Sequence, residues 1–233
     1  MKEVLFKHLF GNIFDDERIT TPRLTNFAED AYSRLLSQNE NQEYDVQLAQ
    51  LRVAIDELKT KISKVDVDLA IQYGDTLTVD RLIADFKRVM QEKEGVIADA
   101  LGGFDSVGYI EFYPKREVEY NQATKEELPI LINRVAVLAQ NYAVQLPSNL
   151  TVKLVSYAAD WELYRDKQQK QKGAVSEGRY ERNEKRKALE IVLHQLMHFI
   201  AQKFPTNSHH CKIFFDVHLL YATGHKKGSK KKE

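Results

Sequence analysis

Two histidines, His194 and His198, stand four residues apart in the stretch "HQLMH", a spacing that puts both imidazoles on one side of an α-helix. The stretch is one letter away from H-E-x-x-H, in which both histidines ligate zinc and the intervening glutamate acts as general base toward bound water. Here Gln195 fills the glutamate's place. An uncharged amide cannot accept the proton, so hydrolysis of that type is disfavoured on chemical grounds. Metal binding without that chemistry stays open.

More candidate ligands lie close in sequence. Glu190, His194 and His198 form an i, i+4, i+8 series, and His209, His210, Cys211 and His218 follow Pro205. Zinc or another divalent metal is the cofactor such a set would hold. This requires the segment after Pro205 to fold back against the flank bearing the two histidines; otherwise no cofactor is implied. At about 100° per residue, the stripe of Leu189, Leu193, Leu196, Ile200 and Phe204 marks the buried face. His194 and His198 lie more than a quarter-turn away, which favours two solvated or interface histidines.

Cys211 beside His210 suggests a nucleophile and base, but sequence neighbours rarely meet in the required geometry. A cysteine opening an aromatic-rich helix reads better as a small core residue, although a place near a helix N-terminus would lower its pKa. Asp66 and Asp68 are two apart and face different directions on a helix. The glycines of "LGGFDSVG" lack the Gly-Lys-Ser/Thr of a phosphate loop, and no Glu-x-x-His pair is present. Trp161, Tyr157 and Tyr164 read as helix core and its margin, with an aromatic ligand pocket as the alternative. No catalytic residue is assigned, and the balance leans away from an enzyme.

Lysine plus arginine (34) equals aspartate plus glutamate (34), so no net field steers the chain toward nucleic acid or an acidic surface. A basic stretch holding Arg179, Arg182, Lys185, Arg186 and Lys187, and lysines between 226 and 232, are the positions that could meet phosphates. Apart from Tyr180 they lack interleaved aromatics, and glutamates break the run. A solvated loop and a solubilising tail are the favoured reading, and nucleic acid is not an expected partner.

The elements that must position these residues are helical. Ten glycines and five prolines punctuate 233 residues, and apolar residues recur at spacings of three and four. One helix is expected through Ala28, Tyr32, Leu35 and Leu36, and another from about Asp45 to Tyr73. Gly74 and Asp75 are expected to end the latter, with Thr78 capping a third that runs to Leu101. The segment 104–123 reads as a strand pair or an ordered connection. Thr124 with Glu127 forms a capping box for the next helix, Pro147 stops it, and a further helix runs past Trp161. Residues 165–187 read as frayed helix ends around a loop. A helix then continues from about Glu181 to Phe204, and "CKIFFDVHLLYA" makes a last short one. The expected fold is an all-α antiparallel bundle of six or seven helices. Its expected organisation is an N-terminal half (1–103), an irregular connection (104–123), a C-terminal half (124–222) and a disordered basic tail (223–233).

The composition, 43% apolar and 29% charged, is that of a folded globular chain. A single cysteine fits a reducing compartment. In "MKEVLFKHLFGNIF", Lys7 and His8 interrupt what would be a signal-peptide core, so the segment is expected to dock as a short helix through Leu5, Phe6, Leu9, Phe10 and Ile13. No apolar run approaches the roughly 20 residues that span a bilayer. The chain is read as cytoplasmic.

The stretches "YPKREVEYNQATKEEL", "GAVSEGRYERNEKRKALEIVLHQLMHFIAQKFP" and "CKIFFDVHLL" resemble uncharacterised, mostly helical bacterial proteins of the Bacteroidetes type. The resemblance covers about half of the chain. It implies an all-helical fold and brings no catalytic residue. Together these readings point to a non-catalytic helical protein that binds a protein partner or itself. A metal-dependent role for the His194/His198 cluster is the alternative, and nucleic-acid binding by the basic segments comes third.

Overall fold

A computed structural model describes residues 11–221. The expectations for the first ten residues and for the basic tail from 223 onward lie outside these. Among the described residues the chain is all-α, without strands. The helices are α1 (Thr21–Ser37), α2 (Asp45–Ala100), α3 (Val107–Phe112), α4 (Val118–Gln122), α5 (Leu128–Asn141), α6 (Ser148–Lys203) and α7 (Ser208–Cys211), with a 3₁₀ turn at Val217–Leu219.

The sequence placed breaks in α2 and α6 that do not exist. Gly74 and Asp75 lie inside α2, and Thr78 caps nothing: its hydroxyl donates to the carbonyl of Gly74 at 3.0 Å, as Thr76 does to Gln72 at 2.9 Å. Likewise Gly173 and Gly178 lie inside α6, so residues 165–187 are helix rather than loop. A helical glycine costs only about 1 kcal/mol, far less than renucleating a helix beyond it. Proline is the stronger break. No proline falls between Pro22 and Pro114, or between Pro147 and Pro205, and α2 and α6 each lie within one of these intervals.

The division into halves at 104–123 is also corrected. The described residues form two compact units, one from 11–67 with 176–221 and one from Asp68–Val175. The reason is that α2 and α6 each supply residues to both units, so partners distant in sequence meet side by side.

In the first unit, Glu57 pairs with Lys185 at 2.9 Å, Lys61 with Glu181 at 2.9 Å, and Glu43 with Lys203. Partners advance along α2 as they retreat along α6, so the two helices are antiparallel here. Against both packs α1, whose Leu24, Phe27, Ala28, Ala31 and Leu35 repeat every three or four residues and are all buried. They meet Leu51, Ile55 and Leu58 of α2 and Leu189, Leu193 and Ile200 of α6. Full burial of a leucine or phenylalanine stabilises by about 1.5–3 kcal/mol. That stripe holds α1 although Thr20 contributes no side-chain cap.

In the second unit α2 and α6 are again antiparallel: Thr76 meets Gln168 at 3.1 Å and Asp85 meets Tyr157 at 2.6 Å. Gly102 and Gly103, at φ of 98° and 103°, end α2 in a conformation glycine adopts without penalty. The segment after them is helical, not a strand pair. Ser106 caps α3 by accepting the N–H of Tyr109 at 3.2 Å, and Phe112, Tyr113 and Tyr120 are buried in the core with Phe86, Ile132, Tyr157 and Trp161. Buried hydroxyls need acceptors; Tyr113 donates to the carbonyl of Met90 at 2.7 Å and Tyr120 to that of Phe112. The capping box forms as expected, the Glu127 carboxylate accepting the Thr124 N–H at 2.9 Å.

Candidate functional site

In the last turns of α6, Leu189, Leu193, Leu196 and Ile200 face the core of the first unit. This fixes the helix's rotation and leaves His194 half-buried and His198 exposed beside the stripe. Their Nε2 atoms stand 3.1 Å apart, with ring centroids 4.4 Å apart and the ring planes at 84°. Burial, and next the neighbouring His198, lowers the pKa of His194 from its usual value.

The other expected ligands do not join them. The chain turns after Lys203, and the side chain of Asn207 accepts the N–H of His210 at 3.0 Å. His210 lies with its ring 4.2 Å from that of Phe204 and 6.0 Å from that of Phe214, which is buried. His209 is exposed. Cys211 closes α7 instead of opening a helix, so the expected helix N-terminus is not there. It is half-buried, packs against the core of the unit, and shares with His218 a groove of about 490 Å³. Asp216, on that groove, accepts the N–H of His218 at 3.1 Å and faces Arg34 at 3.8 Å. Among the described residues no three His, Cys, Asp or Glu side chains come together to hold a metal. Of the seven candidate ligands, only His194 and His198 have donor atoms in contact, and Glu190 is paired with Arg186.

Part of the basic stretch is engaged within the fold, while Arg179 and Lys187 are exposed. Arg186 donates to the carboxylate of Glu190 at 2.7 Å, to the carbonyl of Ile19 at 2.6 Å and to the hydroxyl of Thr21 at 3.2 Å. Lys185 is paired with Glu57 at 2.9 Å, Lys187 lies 4.0 Å from Glu184, and Arg182 donates to Asn183 at 3.3 Å. The carboxylates facing Arg186 and Lys185 already occupy the charge that a phosphate contact would use.

Sequence reading missed the buried and half-buried polar residues of the second unit. Gln168, which is buried, donates to Thr76 and accepts from Arg165 at 2.5 Å, while Gln171 donates to the carbonyl of Asp68 at 2.9 Å. On α5, Arg134 grips Glu119 with two nitrogens, at 3.0 and 2.6 Å. The Glu119 carboxylate and the neighbouring Tyr120 hydroxyl raise the pKa of that guanidinium. The aromatics and Pro114 within 104–123 mark the segment as unusual, but nothing local points to Arg134 as its partner. These contacts are structural: each joins polar groups within the same unit.

Compared with known proteins, the chain matches no family model, no curated sequence and no solved structure.

Proposed function

We propose that this chain acts without catalysis, by binding a protein partner or by self-association. The observation that supports this reading is the outer face of α5. Ile130 and Val137, one heptad apart, are 72% and 48% exposed on a helix whose opposite face is fully packed. Ile130 also borders a groove of about 480 Å³ together with Val118, itself 48% exposed. A scattered exposed valine needs no explanation, but apolar residues repeated along one helix face are what a partner helix reads. The tight internal pairing of the charged residues, and the absence of a complete catalytic constellation among the described ones, favour the same reading. The lone thiol fits a reducing, cytoplasmic setting.

The test is sedimentation of the tag-free chain over a wide concentration range, with a pull-down run in parallel, for wild type and for the Ile130→Asp, Val137→Asp double variant. An assembly or captured protein that is present for wild type and lost in the folded variant supports the proposal. A strictly monomeric wild type that captures nothing, or a partner set unchanged by the variant, would end it.

A further inference from the structure

We propose that His194 and His198 form a two-point chelate for a divalent transition-metal ion through their Nε2 atoms. Imidazole nitrogens bind zinc at about 2.0–2.1 Å, so two of them sharing one ion at angles of about 90° to 110° lie about 2.8–3.4 Å apart. The observed separation of 3.1 Å falls inside that window. The two rings sit one turn apart on the same helix, and the backbone between them is anchored by Leu193 and Leu196, both buried in the core. The backbone is thus set before an ion arrives, and binding requires only that the two Nε2 atoms give up the proton they share and turn both lone pairs to the ion.

Borderline ions such as Zn²⁺, Ni²⁺ and Cu²⁺ suit imidazole, whereas Mg²⁺ and Ca²⁺ prefer oxygen. With two protein donors, the other coordination positions belong to water or to a ligand from solution. A closed structural zinc site needs four protein donors. This pair therefore makes an exchangeable site rather than a folding staple, and Gln195 leaves it without the general base of a hydrolase. The inference is independent of the macromolecular role proposed above, because it concerns a different unit of the chain.

The test titrates Ni²⁺ and Zn²⁺ calorimetrically into the tag-free full-length chain and follows Cu²⁺ by electron paramagnetic resonance. The expected result is one ion per chain, with coupling to two nitrogens. His194→Ala and His198→Ala should each weaken binding by about tenfold or more, while a His209→Ala, His210→Ala, His218→Ala variant binds like wild type. Circular dichroism of each variant separates lost binding from lost fold, and His194→Gln serves where His194→Ala is unfolded. Three results would overturn the assignment: no saturable binding up to millimolar metal, single variants that bind like wild type, or loss of binding in the triple variant. The first would leave the pair as two imidazoles sharing a proton.

Discussion

Arg186 and Ile19 lie 167 positions apart in sequence, yet the guanidinium of one donates to the carbonyl of the other at 2.6 Å. The same guanidinium holds Glu190, whose side chain is 6% exposed, and the hydroxyl of Thr21 at the start of α1. One side chain thus ties α6 to the entry of α1. Replacing it leaves a buried carboxylate without its cation, which is costlier than losing the pair as a whole. Arg186→Met should destabilise the chain by about 2–4 kcal/mol, and an Arg186→Met, Glu190→Met variant by less than the single change. Urea unfolding of the three proteins checks both statements. A single variant as stable as wild type would show that this contact is not held in solution.

Helical glycines without a packing role should be improvable. A Cβ built on Gly74 or on Gly173 meets nothing within 4 Å, and both lie inside long helices. Gly74→Ala and Gly173→Ala should each stabilise by about 0.5–1 kcal/mol, through helix propensity and a less flexible unfolded chain. Gly108 is the internal control. There a Cβ would come within 3.3 Å of Leu101 Cβ and Cδ1 and of Tyr142 Cε1. The Cβ of Leu101 cannot rotate aside, so Gly108→Ala should lose about 1 kcal/mol instead. Thermal melts of the three variants decide, and a loss for Gly74→Ala and Gly173→Ala would argue for breaks in those helices.

These glycines also show where the sequence was legible. Apolar stripes at three-four spacing identified α1 and the apolar parts of α2 and α6, because burial of one helix face is written locally. Glycine at 74 and polar composition at 165–187 carry less weight than that burial. No proline interrupts those segments, and their polar residues pair across the unit, as Lys61 does with Glu181 and Gln168 with Thr76, with partners that are not adjacent in sequence. The same limit applies to the candidate site. The four-residue spacing of His194 and His198 was visible, whereas the separation of His209, His210, Cys211 and His218 from them depends on how the chain turns after Lys203.

That turn contains a residue in an unfavourable conformation. Thr206 has φ of 68°, a left-handed value that costs a residue with a side chain about 1–2 kcal/mol and is worst for a β-branched one. Its side chain is exposed. Thr206→Gly should therefore stabilise by about 0.5–1 kcal/mol, the relief being partly offset by the greater freedom of glycine in the unfolded chain. Thr206→Pro, whose ring fixes a negative φ, should destabilise. Equal melting temperatures for the two variants would contradict the strain.

Acid sensitivity should trace in part to the pair formed by Asp85 and Tyr157. The Tyr157 hydroxyl donates to Asp85 Oδ2 at 2.6 Å, and Lys153 approaches the same oxygen at 3.3 Å. The tyrosine hydrogen bond foremost, with Arg88 and Lys153 in support, lowers the Asp85 pKa below the usual carboxylate range. A depressed folded-state value means that the contribution to stability is present above the unfolded pKa of about 4. It is then lost as the pH falls through the folded value. Tyr157→Phe removes the hydrogen bond while keeping the ring against Phe86, whose centroid lies 5.3 Å away. The variant should be less stable than wild type by about 1–2 kcal/mol near neutral pH. The gap should narrow as the pH drops, because protonation of Asp85 removes from wild type what the substitution has already removed from the variant. Denaturation of both proteins across a series of pH values measures that gap directly. A gap that stays constant into acid would mean that the hydroxyl contributes independently of the charge on Asp85, and no gap at any pH would mean that Tyr157 contributes packing alone.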